Sequence, residues 1–209
     1  MAGARTIAAV RREAQECRDC PLWRDATQTV FGEGPTTAGL MLVGEQPGDR
    51  EDREGRPFVG PAGAVLEQAL EIAEIERASV YTTNAVKHFK FNERGKRRIH
   101  QRPSAAEQDV CLQWLRREIE IVSPTVAVAL GATAARSLIG RPTAIGANRG
   151  RVLEGTLFSP VIVTAHPSSV LRQRDHELRH DALQAIADDL RLAARVAAGA
   201  EQMTIVAPP

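Results

Sequence analysis

The sequence has only three cysteines and no long apolar run, and each shortage excludes a class of protein. Three cysteines in 209 residues are too few to form the disulfide framework of a disulfide-rich secreted protein. No apolar run approaches the roughly 18 residues that a membrane span requires. The N-terminus leads into a charged amphipathic stretch rather than the apolar core of a signal peptide. We therefore expect a cytoplasmic protein that makes no membrane contact.

The chain also lacks an excess of charge of one sign, internal repeats and long low-complexity segments. Its 27 Lys and Arg residues balance 26 Asp and Glu residues, so only the distribution of charge can indicate a partner. The length and the hydrophobic content of 43% are typical of one compact domain. We predict a single domain over residues 1–198. A tail follows over residues 199–209, and its sequence is compatible with both an ordered and a disordered state.

Apolar segments with strand character alternate with segments of helical periodicity. Predicted strands cover residues 40–43, 80–83, 126–130 and 161–164. Predicted helices cover residues 5–17 and 175–198, begin at Pro61 and after Ser104, and run from Gly131 to Gly140. This alternation predicts an α/β fold, a three-layer α/β/α sandwich around a mainly parallel four-stranded sheet.

Polar side chains follow three of the predicted strands at the point where each strand ends. Glu45 follows the first strand, Asn84 the second and His166 the fourth. Ligands of parallel sheets bind beyond the carboxyl ends of the strands, so we expect these side chains to frame a site. A Pro after a strand is a common terminator, which makes His166 alone weak evidence.

The loop after the first strand is rich in glycine and acidic residues. Its glycines and proline indicate a rigid turn whose backbone approaches a ligand closely. Among its acids, Glu51 and Glu54 are expected to be solvated. Phe58, in the same loop, is equally compatible with a small satellite core and with a platform on which a ligand stacks.

Positive charge is concentrated in residues 87–102. This segment holds seven Lys or Arg residues against one acid, Glu93, and is predicted to be a loop. Beside the functional edge of the sheet it indicates a surface for nucleic-acid phosphates, with Phe89 and Phe91 available for stacking. The alternative is a solvated basic face.

Cys17 and Cys20 form a Cys-x-x-Cys pair. Metal ligation fits this pair better than redox chemistry, because no strand precedes it and no helix follows it. Such sites usually have four ligands, and Cys111 is the one other cysteine. Taken by itself, Cys111 is typical of a small buried hydrophobic residue.

Five short segments occur together in one order along the chain: Gly-Glu-Gln-Pro-Gly at 44–48, Pro-Phe-Val-Gly-Pro-Ala-Gly at 57–63, Thr-Asn-Ala-Val-Lys at 83–87, Lys-Arg-Arg-Ile-His at 96–100 and His-Pro-Ser at 166–168. With them the chain resembles the uracil-DNA glycosylase superfamily over about residues 15–195. The resemblance is closest to the iron–sulfur branch and, through segment 96–100, to its self-crosslinking UdgX group.

The resemblance implies a [4Fe–4S] cluster held by Cys17, Cys20, His88 and Cys111. Typical members of the branch have a cysteine where this chain has His88, and the UdgX group shares that departure. Zinc bound by the same four residues is a chemical alternative. Either metal would be structural.

The resemblance also implies how uracil is recognised. Phe58 is expected to stack on the flipped base, in a substrate-binding loop that begins at Gly44. Asn84 reads the O4/N3 edge, and backbone amides near Gln46, which is also placed in the catalytic set, add contacts. His166 donates to O2 as negative charge gathers on the leaving base.

His100 is implied to attack the sugar C1′, so that the enzyme becomes covalently attached to its DNA and acts once. Glu45 holds or deprotonates His100 or stabilises the cationic sugar. Asp49 and Asp52 are expected to order the loop, and Arg98 to position it.

The implied partner is uracil-containing DNA, and the implied biological role is DNA repair. Single strands are expected to be favoured because an unpaired base costs least to flip; the protein is expected to be a monomer. Two alternatives stay open at this point. One is a conventional turnover glycosylase that releases an abasic site, and the other is a metal-stabilised nucleic-acid-binding module without catalysis.

Overall fold

The computed structural model describes residues 6–199 and 205–206. Its main sheet has five strands in the order β2-β1-β5-β7-β6, and two further strands, β3 and β4, form a separate hairpin. The strands are β1 (Leu40–Gly44), β2 (Tyr81–Asn84), β3 (Phe91–Arg94), β4 (Arg97–His100), β5 (Val126–Leu130), β6 (Val152–Leu153) and β7 (Val161–Thr164).

Helices connect the parallel strands. They are α1 (Ile7–Gln15), α2 (Asp49–Glu54), α3 (Pro61–Ile72), α4 (Ala105–Val122), α5 (Ala132–Ile139), α6 (Ile145–Asn148), α7 (Ser168–Leu171) and α8 (His176–Ala197), with 3₁₀ turns at Pro21–Arg24 and Arg77–Ser79. Helix α4 begins with the predicted capping box, in which Ser104 and Glu107 bond each other's backbone N–H. Gly131 and Gly140 flank α5.

Both faces of the sheet are buried, because successive residues of a strand point to opposite faces. In β1, Leu40 and Leu42 pack in one core cluster with residues of α3 and α8. Met41 and Val43 pack in the other cluster with residues of α4 and α5. This arrangement confirms the predicted three-layer α/β/α sandwich.

The sheet has one strand more than the four predicted. The four predicted strands all form and run parallel to one another. The prediction of four strands was wrong because β6 is only two residues long and pairs antiparallel with β7 at the sheet edge. Two residues are too short to show a periodic pattern.

The predicted basic loop is in fact a β-hairpin. Strands β3 and β4 pair antiparallel, and Phe91 lies opposite His100. Gly95 sits in the turn with φ +60°, a conformation that favours glycine. The hairpin therefore presents the segment 96–100 on an ordered strand.

Part of the predicted tail contacts the sheet. Val206 forms a parallel bridge with Leu153, and its N–H donates to the Val152 carbonyl at 2.9 Å. Except for Gly199, Ile205 and Val206, the tail residues lie outside the described part of the chain. None of the described helices is both long enough and apolar enough to cross a membrane.

Candidate functional site

A cavity of about 680 Å³ lies beyond the carboxyl ends of the central strands. It collects residues that are far apart in the sequence. Seven of the predicted site residues line it: Glu45, Gln46, Asp49, Phe58, Asn84, His100 and His166. Gly44, Asp52 and Arg98 do not line the cavity, and neither do the four predicted metal ligands.

Phe58 is held in the cavity by an unusual backbone. Its φ is +56°, a region that non-glycine residues rarely occupy and that costs free energy. Two glycines make room for it. A Cβ at Gly63 would lie 1.9 Å from the Phe58 carbonyl oxygen, and one at Gly44 would lie 2.7 Å from the ring. The ring is thus fixed as part of the cavity wall.

Asn84 is buried at the end of β2, with its side-chain oxygen close to Gly44. The Lys87 ammonium, itself fully buried, donates to the Asn84 backbone carbonyl at 2.6 Å. Lys87 also forms an ion pair with buried Glu118 at 2.5 Å. A buried ion pair is costly to break, so Asn84 stands on a rigid support.

His166 is held in one tautomer. The Ser168 backbone N–H donates to Nδ1 at 3.2 Å, and the Ser168 hydroxyl lies 2.8 Å from the same nitrogen. The proton of the neutral ring is therefore on Nε2. Burial, with smaller effects of His100 and Arg172, lowers the pKa of His166 to about 4. The ring is neutral at pH 7 and offers one N–H donor.

His100 approaches the cavity from the hairpin. Its Nε2 lies 3.4 Å from Glu45 Oε1, and its side chain is 50% exposed. The other carboxylate oxygen of Glu45 accepts from the Thr133 hydroxyl at 2.5 Å. A carboxylate and an imidazole therefore face each other at the cavity edge.

Arg98 fastens the hairpin to α2. Its guanidinium bonds Asp49 and lies 2.7 Å from Asp52 Oδ2, and it stacks over Phe91 at 4.9 Å. Burial would lower the pKa of Arg98, but the hydrogen bonds that it donates to the two carboxylates raise it. Asp52 is fully buried and also accepts from the Thr27 backbone N–H. Asp52 and Arg98 thus lie behind the hairpin.

The Gln46 side chain closes the base of the hairpin. Its amide nitrogen donates to the carbonyls of Lys90, at 3.1 Å, and Gln101, at 3.0 Å. Its amide oxygen accepts from the Lys90 backbone N–H at 3.2 Å. Lys90 and Gln101 are the residues that enter and leave the hairpin, so one side chain holds both ends.

Much of the predicted basic surface is engaged within the protein. Lys87 is buried, Lys90 pairs with Glu107, and Arg98 and Arg102 contact acids beside the cavity. The basic side chains left exposed at the hairpin turn are those of Arg94, Lys96 and Arg97.

The expectation that Glu51 is solvated was wrong. Its carboxylate is buried and accepts from the backbone N–H groups of Gly48 and Gly60.

The three cysteines lie together in a small core cluster away from the cavity. Burial raises the pKa of Cys20, and it raises that of Cys111 to about 12. The Lys87 backbone N–H donates to Cys111 Sγ at 3.2 Å, and Trp114 Nε1 donates to Cys17 Sγ at 3.3 Å. Within the described residues, no three Cys, His, Asp or Glu side chains are close enough to hold a single metal ion.

His88 is buried beside this cluster. The Thr29 hydroxyl donates its proton to the Ala14 carbonyl at 3.0 Å, so it accepts from His88 Nε2 at 2.9 Å. Nδ1 is then the unprotonated nitrogen, the form in which imidazole binds a metal. Burial lowers the pKa of His88 to about 4. Three thiols and one imidazole lone pair are a donor set that fits an iron–sulfur cluster.

Comparison with known proteins identifies the family. The family model of the uracil DNA glycosylase superfamily matches residues 31–191, a range that includes every residue lining the cavity. The chain belongs to the uracil-DNA glycosylase superfamily.

Relatives within this superfamily cover most of the chain. A Type-4 uracil-DNA glycosylase of Thermotoga maritima is 40% identical over 85% of this chain and 89% of its own length. One of Pyrobaculum aerophilum is 36% identical over 76% of this chain and 81% of its own length. A Type-5 uracil-DNA glycosylase of Pyrobaculum aerophilum is 31% identical, and the match covers 71% of each chain.

Two pairs of interacting residues at the site were not predicted from the sequence. One is the ion pair of Lys87 with Glu118, and the other is the contact of Thr133 with Glu45. Each pair joins residues at least 31 positions apart. No local pattern marks such pairs. The one available signal was the apolar face of α4, on which a buried Glu118 requires a partner.

Proposed function

We propose that this protein excises uracil from DNA and then becomes covalently linked through His100 to C1′ of the resulting sugar. The observation that carries the proposal is the position of His100. It reaches the edge of the cavity that Phe58, Asn84 and His166 line, and it faces a carboxylate there. The Type-4 relatives are named as uracil-DNA glycosylases, which supports the excision step.

Uracil recognition follows from the buried wall of the cavity. The flipped base stacks on Phe58, whose ring lies against Gly44 and whose backbone lies against Gly63, close approaches that a side chain at either glycine would prevent. Asn84 hydrogen-bonds the O4/N3 edge. Cytosine presents the reversed donor and acceptor pattern at this edge, so it leaves the buried amide unsatisfied.

Departure of the base is assisted by His166. As the C1′–N1 bond breaks, its electron pair leaves with uracil as an anion. The Nε2–H of His166 donates to O2, where this charge gathers. Because the ring is already neutral and oriented by Ser168, it needs no reorganisation at the moment of reaction.

Capture of the sugar is the step assigned to His100. The cationic sugar left behind accepts the lone pair of an imidazole nitrogen at C1′, and an N–C1′ bond forms. The ring then sheds its remaining N–H proton to Glu45 or to solvent, and uracil takes up a proton from solvent. The Glu45 carboxylate, 3.4 Å from His100 Nε2, stabilises the sugar cation before capture and the imidazolium after it.

We propose that Cys17, Cys20, Cys111 and His88 hold a [4Fe–4S] cluster. Such a cluster would tie the N-terminal segment to the helix and loop beside the cavity, and it takes no part in the reaction. What supports the cluster is the donor set, three thiols and the free Nδ1 of His88, gathered in and beside one small core cluster.

Single-stranded, uracil-containing DNA is the proposed substrate, with Arg94, Lys96 and Arg97 contacting its phosphates. Electrostatic contacts of this kind weaken as salt rises.

The deciding experiment is a denaturing gel of the protein with end-labelled, uracil-containing single-stranded DNA, beside a thymine control. A uracil-dependent band at the summed mass of protein and DNA, stable to heat and detergent, is the expected result. Strand cleavage after alkali without that band would indicate a conventional turnover glycosylase. Neither signal would indicate a binding module.

The cluster has its own test. Purified protein should be brown and contain iron and acid-labile sulfide, and Cys111→Ser should lose both. A colourless, zinc-containing protein would contradict the assignment.

A further inference from the structure

Glu45 has two carboxylate oxygens in different surroundings. Oε1 lies 3.4 Å from His100 Nε2 at the cavity edge. Oε2 accepts from the Thr133 hydroxyl at 2.5 Å and lies 3.9 Å from Arg102 Nε. The orientation of the carboxylate is therefore set by the contacts of Oε2, on the side away from His100.

The direction of the Thr133 hydrogen bond is fixed by Arg102. Arg102 Nε donates to the Thr133 oxygen at 3.3 Å, and an arginine can only donate. The single hydroxyl proton of Thr133 is therefore free for Glu45 alone. Thr133 itself is 1% exposed in the first turn of α5, which packs on the sheet, so its hydroxyl is a rigid donor.

We infer that Thr133 is a positioning residue that holds the Glu45 carboxylate so that its free oxygen faces His100 and the reacting sugar. Arg102 supports it by orienting the hydroxyl. The inference rests on the proposed function and deepens it, because it names the residue that keeps the acid in place. Without the hydroxyl, Oε2 keeps only its 3.9 Å contact with exposed Arg102, so Glu45 can rotate about its side-chain torsions.

The test is the single-turnover rate of adduct formation at saturating single-stranded uracil DNA. Thr133→Val keeps the shape and removes the hydroxyl, and we expect it to slow the adduct by about tenfold or more, the effect of losing one hydrogen bond to a charged group. Thr133→Ser keeps the hydroxyl and should react within about twofold of the wild-type rate.

A double-mutant cycle separates positioning from a structural role. In a Glu45→Ala background, Thr133→Val should change the rate by less than about twofold, because no carboxylate remains to be oriented. A residue that only supports the fold would slow both backgrounds equally, and that result would overturn the inference.

Two further outcomes are distinguishable. An adduct formed by Thr133→Val at the wild-type rate would overturn the inference and leave the proposed function intact. No adduct from the wild-type protein would overturn both. Should Thr133→Val fail to fold, Arg102→Ala tests the orientation of the Thr133 hydroxyl instead, because the Arg102 side chain is 64% exposed and its removal should not disturb folding. We expect it to be slowed about threefold at saturating DNA, and an unchanged rate would count against the inference.

Discussion

The two walls of the cavity are built in different ways. The wall that we propose recognises uracil lies at the ends of parallel strands, where Asn84 is 3% exposed and supported by a buried ion pair. The wall that carries His100 is a two-stranded hairpin outside the sheet, and the His100 side chain is 50% exposed. In the proposed function, recognition therefore depends on the core, whereas capture depends on a few side chains that anchor the hairpin. The two functions should be separable by mutation.

The largest effect is expected at the recognition wall. His166→Ala removes the proposed donor to the charge on the leaving base, and it should slow uracil release by about 100- to 1,000-fold. DNA affinity should stay within about threefold, since binding uses other contacts. Single-turnover release and a binding titration measure the two quantities. Rapid release by this variant would mean that another group stabilises the leaving base.

The second largest effect is expected at the hairpin, where a substitution should slow adduct formation but not uracil release. Arg98→Ala removes both charged contacts of the hairpin with α2 and should slow adduct formation by about 10- to 100-fold. Uracil release should change by less than about threefold, because the recognition wall is untouched.

Arg56→Ala is the matched control for Arg98→Ala. It removes the same charge from a surface ion pair with Glu33 and should leave both rates unchanged. Equal losses of release and adduct in Arg98→Ala would contradict the separation of the two walls.

A smaller effect is expected at the hairpin base. Gln46→Ala deletes three hydrogen bonds to the hairpin ends and should slow adduct formation by about tenfold. Gln101→Ala serves as the control because Gln46 contacts its backbone carbonyl, which the substitution keeps. Equal rates of adduct formation in the two variants would mean that the hydrogen bonds of Gln46 to the hairpin ends do not position His100.

The smallest effect is expected from pH, as a change in the protonation of His166. Its pKa of about 4 lies below the ordinary value of 6.5, so the folded protein keeps this ring neutral while the unfolded chain protonates it. Stability from this group is full above about pH 6.5 and is lost as the pH falls toward 4. The ¹⁵N shifts of His166 should stay constant from pH 7.5 to 5.5. A titration midpoint near 6.5 would contradict the buried, oriented ring.

The recognition wall could be predicted from the sequence because strand ends carry local signals. Apolar runs located β1, β5 and β7, and the polar residue after a run marked Glu45 or His166. The hairpin could not be predicted in the same way. Its strands are mostly charged, and they are fixed by contacts such as Arg98 with Asp52, 46 residues away. Long-range polar contacts of this kind leave no periodic pattern in the sequence.

The most direct test of covalent capture compares the wild-type protein with His100→Ser on the same end-labelled uracil DNA. His100→Ser should form no heat-stable adduct, yet still release uracil and leave an alkali-labile abasic site. An undiminished adduct in this variant would show that another residue captures the sugar. Loss of uracil release together with the adduct would show that recognition and capture are not separate.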